Sequence, residues 1–188
     1  MKKLFNFWKR KDEFSSRSSC LPTGQDYTPR TRYLKKLHKA ASDGDLDKLK
    51  EYLQLKKHDV NMRDKEHRTP LHLACTSGYT HNSSLLTKKK CEINVQDDEN
   101  KSILIKDGYT PLLLAIVENN ENMVKFLLKK GADVNASDKN QRTALMIALS
   151  EEPTSLVSLL LQQDVDLSCQ DIYGFTAEEY ASFNGFTT

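Results

Sequence analysis

Short apolar clusters come in pairs along this chain, with polar turns between them. Leu112, Leu113, Leu114 and Ala115 form one cluster, and Met123, Val124, Phe126, Leu127 and Leu128 form the next. The pair returns as Leu145, Met146, Ile147 and Ala148, then Leu156, Val157, Leu159, Leu160 and Leu161. Apolar positions three and four apart predict a short amphipathic helix for each cluster. Leu46, Leu49, Tyr52 and Leu53 keep that spacing nearer the N-terminus. A threonine opens the first helix of each pair. In Thr69-Pro70-Leu71-His72-Leu73-Ala74 its hydroxyl can accept a hydrogen bond from a free first-turn N–H. Proline directly after it occupies the one helical position where a missing N–H costs nothing.

This start recurs. Thr110-Pro111-Leu112-Leu113-Leu114-Ala115, Thr143-Ala144-Leu145-Met146-Ile147-Ala148 and Thr176-Ala177-Glu178-Glu179-Tyr180-Ala181 repeat it, the last three 33 residues apart. A second block keeps the same phase: Gly131-Ala132-Asp133-Val134-Asn135, with weaker copies at Cys91-Glu92-Ile93-Asn94 and Asp164-Val165-Asp166-Leu167-Ser168. Period and motifs together resemble the ankyrin repeat. The resemblance covers about residues 33–188. It implies an all-α solenoid of stacked helix-turn-helix units with β-turn fingers. The opening Lys3–Lys11 and Leu49–Gln54 are also similar to ankyrin proteins of the POTE type. That narrower resemblance implies a non-enzymatic protein with further repeats between Ile105 and Lys106, which this chain lacks.

The expected organisation is a disordered basic tail over 1–32 and an array over 33–188. Its repeats fall at about 33–63, 64–96, 106–137 and 138–170, with an interrupted start at 97–105 and a partial repeat at 171–188. The first repeat carries Lys and Glu on its second helix, as a cap facing water must. In the second repeat Asn82, Ser83 and Thr87 stand where the next full repeat has Met123, Val124 and Leu128. Each lost apolar side chain there forfeits roughly 1.5–3 kcal/mol of burial. From Thr69 to Thr110 the step is 41 residues, eight beyond the period, and Ser102 holds the in-phase slot. An eight-residue loop insertion explains this, and so does loss of intervening repeats at a splice junction.

Composition fits an array better than one large core: 188 residues are 38% hydrophobic and 8% aromatic. The formal net charge is only +2, but residues 1–40 hold eleven Lys/Arg against three Asp/Glu. The head is basic and the remainder acidic. Residues 1–32 are rich in Ser, Lys and Arg and lack any period, which predicts disorder. Within them Lys2, Lys3, Phe5, Phe7, Trp8, Lys9, Arg10 and Lys11 mix charge with aromatics. That cluster is either a solvated tail or a weak contact for an anionic membrane surface or nucleic acid. No apolar run suits a secretory signal or a membrane span. Cys75, Cys91 and Cys169 stand at alanine slots, as small buried residues. With no CxxC pair they point to a reducing compartment, cytosol or nucleus. The Asn-x-Ser/Thr triplets at Asn82, Asn100 and Asn135 are then chance matches.

Catalytic chemistry is not indicated. His38, His58, His67, His72 and His81 form no zinc-spaced set, and there is no phosphate loop or nucleophile elbow. Asp97-Asp98, Glu151-Glu152 and Glu178-Glu179 read as solvated faces. The expectation is a monomeric scaffold with no cofactor, metal or small-molecule substrate, which binds an unidentified protein in its concave groove. Residues just before each threonine line up in such a stack. That row is Arg68, Tyr109, Arg142 and Phe175, extended by Ile172 and Tyr173, with acidic edges at Glu66, Asp107, Glu118 and Glu151. Arginine and aromatics dominate binding hot spots. Tyr109 and Arg142 are expected as exposed turn-tip anchors whose loss would leave stability unchanged.

Overall fold

A computed structural model describes residues 29–55, 59–97, 108–150 and 155–185, with side chains from Lys36 onward. Among these residues nine helices follow one another in short pairs. They are α1 (Pro29–Ser42), α2 (Leu46–Gln54), α3 (Pro70–Thr76), α4 (Thr80–Lys88), α5 (Pro111–Val117), α6 (Glu121–Lys129), α7 (Ala144–Ser150), α8 (Ser155–Leu161) and α9 (Ala177–Phe183). The only extended pairing described is a single antiparallel bridge between Ser137 and Thr143. Helix α1 opens at Pro29, so residues 29–32 are helical rather than part of a disordered tail. The rest of the tail expected over 1–32, residues 1–28, lies outside the described residues. No helix among them is long and apolar enough to cross a membrane.

The threonines cap as anticipated. Thr110 Oγ1 accepts from Leu113 N at 3.3 Å. Thr176 and Glu179 form a reciprocal capping box, in which Thr176 N donates to Glu179 Oε2 at 2.7 Å. His72 does the same for α3, its Nδ1 accepting from Thr69 N at 3.1 Å. Turns between the elements need left-handed backbone. Glycine supplies it at Gly44, Gly78, Gly108, Gly131 and Gly174, but His67, Lys90, Asn119 and Gln141 also adopt positive φ. These four hold glycine slots of the repeat without glycine's freedom.

First helices pack closely on one another along α1, α3, α5, α7 and α9, while α2, α4, α6 and α8 touch more sparsely. The first helices therefore form the inner row. One continuous core runs between the rows, including Leu37, Leu49, Leu71, Leu86, Leu112, Leu113, Met123, Leu127, Ile147, Leu156 and Leu160. Asn82 and Ser83 lie inside it, 1% and 0% exposed, whereas Thr87 is only half-buried, as is its counterpart Leu128. Cys75 and Cys91 are buried; Cys169 is only half-buried.

Backbone pairing sets how the 41-residue step is accommodated. Asp64 N donates to Arg68 O, Asp138 N to Arg142 O and Asp171 N to Phe175 O, each closing a finger across four residues. Asp97 N donates to Tyr109 O at 3.0 Å in the same role. The bond that in the other fingers spans four residues therefore spans twelve here, from Asp97 to Tyr109. The interrupted start expected at 97–105 lies, from residue 98 on, outside the described residues. Stacking of α3 on α5 continues across this point without a break.

Candidate partner-binding surface

Each finger is organised by an aspartate. Asp64 Oδ1 accepts from Glu66 N at 3.0 Å and Arg68 N at 2.8 Å. Asp138 Oδ1 accepts from Asn140 N and Arg142 N, both at 2.9 Å. Asp171 Oδ1 accepts from Tyr173 N and Phe175 N at 2.9 and 2.8 Å. Asp97 Oδ1 accepts from Tyr109 N at 2.7 Å. Asx-type bonds of this kind fix a turn locally. Asp stands four residues before the row residue at Asp64, Asp138 and Asp171, a spacing legible in the sequence that marks the row as part of the scaffold.

The row before the threonines consequently differs from expectation. Tyr109 is 4% exposed and Arg142 8%. Arg142 Nε donates to Asp138 Oδ2 at 2.8 Å, and its Nη2 donates both to Asp138 Oδ2 at 2.8 Å and to Tyr109 Oη at 3.1 Å. Tyr109 O accepts from His72 Nε2 at 3.2 Å. Both side chains run along the stack onto the neighbouring repeat instead of projecting from the tips, so neither is an exposed anchor. Arg68 repeats the pattern in a more open setting. It is half-buried, its Nη2 2.9 Å from Asp64 Oδ2 and 3.2 Å from Glu66 Oε2. Its carbonyl accepts from His38 Nε2 at 3.0 Å. Phe175 is half-buried, edge-on to Phe183 with ring centroids 5.4 Å apart.

Other members of the row do reach solvent. Ile172 and Tyr173 are 53% and 59% exposed on the last finger, and Glu118 is exposed at the end of α5. Lys65 and His67 on the second finger, and Lys139 and Gln141 on the fourth, are exposed as well. Asp107, Glu151 and the tail residues Lys2, Lys3, Phe5, Phe7, Trp8, Lys9, Arg10 and Lys11 lie outside the described residues.

The titratable groups inside the array are held for structure. Burial pushes His72 down to about 4, against the hydrogen bond to Tyr109 O that favours its charged form. The ring is neutral, and it bridges its own helix start to the next finger. Burial raises the Cys75 thiol to about 12 and the Cys91 thiol to about 11, so neither is a ready nucleophile. Burial, then the hydrogen bond from its hydroxyl to Asp171 Oδ2 at 2.9 Å, raises Tyr180. No group of three or more His, Cys, Asp or Glu among the described residues is placed to hold a metal ion.

Paired helices, aspartate-closed fingers and a core shared between neighbours define a helical-repeat solenoid. The chain belongs to the ankyrin repeat family. A family model described as three copies of ankyrin repeats matches residues 37–138, and one for a single ankyrin repeat matches 140–172. Human ankyrin repeat domain-containing protein 7 is 56% identical over 92 residues, covering 49% of this chain and 33% of that protein. Rat ankyrin repeat and SAM domain-containing protein 6 is 34% identical over 62% of this chain and 13% of its own length. Chicken nuclear factor NF-kappa-B p105 subunit is 32% identical over 69% of this chain and 13% of its own. This chain thus spans a third or less of the length of these relatives. Ankyrin repeats are in general protein–protein interaction modules, and neither matching family is catalytic.

Proposed function

We propose that the chain is a non-enzymatic scaffold that binds a partner protein along its finger tips and the adjoining ends of the inner helices. The observation that carries this is the pair Ile172 and Tyr173, two large apolar side chains more than half exposed at adjacent tip positions. Phe175 packs edge-on to Phe183, but the turn holds these two outward by backbone bonds: Ile172 N donates to Asn140 O at 3.0 Å and Tyr173 N to Asp171 Oδ1. Exposed aromatic and branched side chains on a rigid frame suit an interface at low entropic cost. Lys65, His67, Lys139 and Gln141 continue the surface along the stack, with Glu118 at its edge. The free thiols of Cys75, Cys91 and Cys169 support a reducing compartment.

A photo-crosslinking residue at position 173, compared with one at Lys125 on the outer row, tests the reading. A protein crosslinked at 173 and not at 125, and lost in the Ile172→Ser/Tyr173→Ser variant, is the expected result. Capture that survives this double substitution but disappears on removal of residues 1–28 would shift the contact to the tail.

A further inference from the structure

The outer row carries a charge cluster that the finger surface does not involve. Lys88, Lys89 and Lys90 end α4, and Lys129 and Lys130 end α6, the structurally equivalent helix of the next repeat. All five are exposed. Lys90 and Gly131 share the left-handed position after their helices, so Lys88 aligns with Lys129 and Lys89 with Lys130. Packed helices lie about 8–10 Å apart, so two neighbouring repeats set these ammonium groups on one continuous edge. The nearby Lys125 is engaged by Glu121, whereas Lys88, Lys89, Lys90 and Lys129 have no carboxylate within ion-pair reach among the described residues. Lys130 Nζ lies 6.0 Å from the centre of the Phe126 ring. The helix dipole explains one cation in each last turn. It does not explain three consecutive lysines, two of them past the helix end.

Equivalent positions on the flanking repeats are Gln54, Leu55 and Lys56 on one side and Gln162, Gln163 and Asp164 on the other, so among the aligned helix ends lysine fills the first two positions only on α4 and α6. We infer that this lysine edge is a second interaction surface, which takes a short acidic segment of a protein partner. Three properties select that occupant. The cluster contains no arginine, the residue that grips phosphate with two parallel bonds. It exposes no aromatic side chain that could stack a base or enter a lipid headgroup layer, since Phe126 is half-buried. Beyond residue 40 the chain carries a surplus of six negative charges, which disfavours a polyanion longer than the cluster. A segment with carboxylates two or three residues apart matches the spacing between repeats at about 3.3 Å per residue.

The test uses the full chain and a fluorescein-labelled peptide of eight glutamates, read by anisotropy in low and physiological salt. Substituting Lys88, Lys89, Lys129 and Lys130 together by Gln should weaken peptide binding at least tenfold without moving the thermal melt. Neutralising Lys2, Lys3, Lys9 and Lys11 instead should weaken it less than threefold. The inference is overturned if the two variants exchange these effects. It is also overturned if phosphatidylserine vesicles or a 20-base-pair DNA duplex bind more tightly than the peptide and lose that binding in the four-lysine variant.

Discussion

Removing the Tyr109 hydroxyl should weaken the array, and removing its ring should weaken it much more. Tyr109 is 4% exposed, and its hydroxyl accepts from Arg142 Nη2 at 3.1 Å. Tyr109→Phe keeps the ring and takes one acceptor from a buried guanidinium. A hydrogen bond to a charged group contributes about 1.5–3 kcal/mol. Arg142 still keeps Asp138, whose side chain is 2% exposed, so the lower end, about 1.5–2 kcal/mol, applies. Tyr109→Ala adds the loss of a buried ring, for a total of about 3–5 kcal/mol. Arg142→Met removes the charge and leaves Asp138 with only its backbone donors from Asn140 and Arg142. Breaking a buried pair in this way costs about 3–5 kcal/mol, less here because those donors remain. In a double-mutant cycle, Phe at 109 combined with Met at 142 should fall short of additivity by about 1–2 kcal/mol. Urea unfolding, with amide exchange to follow each repeat separately, measures all four species. A Tyr109→Ala protein within about 0.5 kcal/mol of wild type, as expected of a surface site, would refute the buried role.

Gln141→Gly and Lys90→Gly should each stabilise by about 0.5–1 kcal/mol, since left-handed backbone costs an L-residue about 1–2 kcal/mol and glycine's unfolded entropy returns part of it; lower urea midpoints would contradict this. Ser83→Val should gain about 1 kcal/mol of buried apolar surface. Asn82→Leu should gain less, because Asn82 Nδ2 donates to Ala40 O and Ala41 O at 3.1 and 3.3 Å while its buried Oδ1 goes unpaired. His72 titrates near 4 in the fold against 6.5 in the unfolded chain, so the unfolded state binds more protons between these values. Its contribution is complete above pH 6.5 and falls as pH drops towards 4, by up to about 3 kcal/mol. A wild-type pH profile no steeper over that range than that of His72→Gln would contradict the assignment.

The sequence by itself determined the period, the helix starts and the fold class. Those depend on bonds between residues a few positions apart: Thr110 with Leu113, Thr176 with Glu179, and the apolar spacing of Met123, Val124 and Leu127. It also located Asn82 and Ser83 in the core, because a repeat allows one copy to be read against another. Only tertiary structure decided the fate of Tyr109 and Arg142. An aromatic beside a turn looks exposed when its finger is considered alone, and it is buried only when the next finger stacks on it. Tyr109 Oη meets Arg142 33 residues away, and Tyr109 O meets His72 37 residues away. The sequence alone also could not pair Asp97 with Tyr109, twelve residues on, because a finger is closed by its backbone and backbone partners leave no mark in side-chain identity.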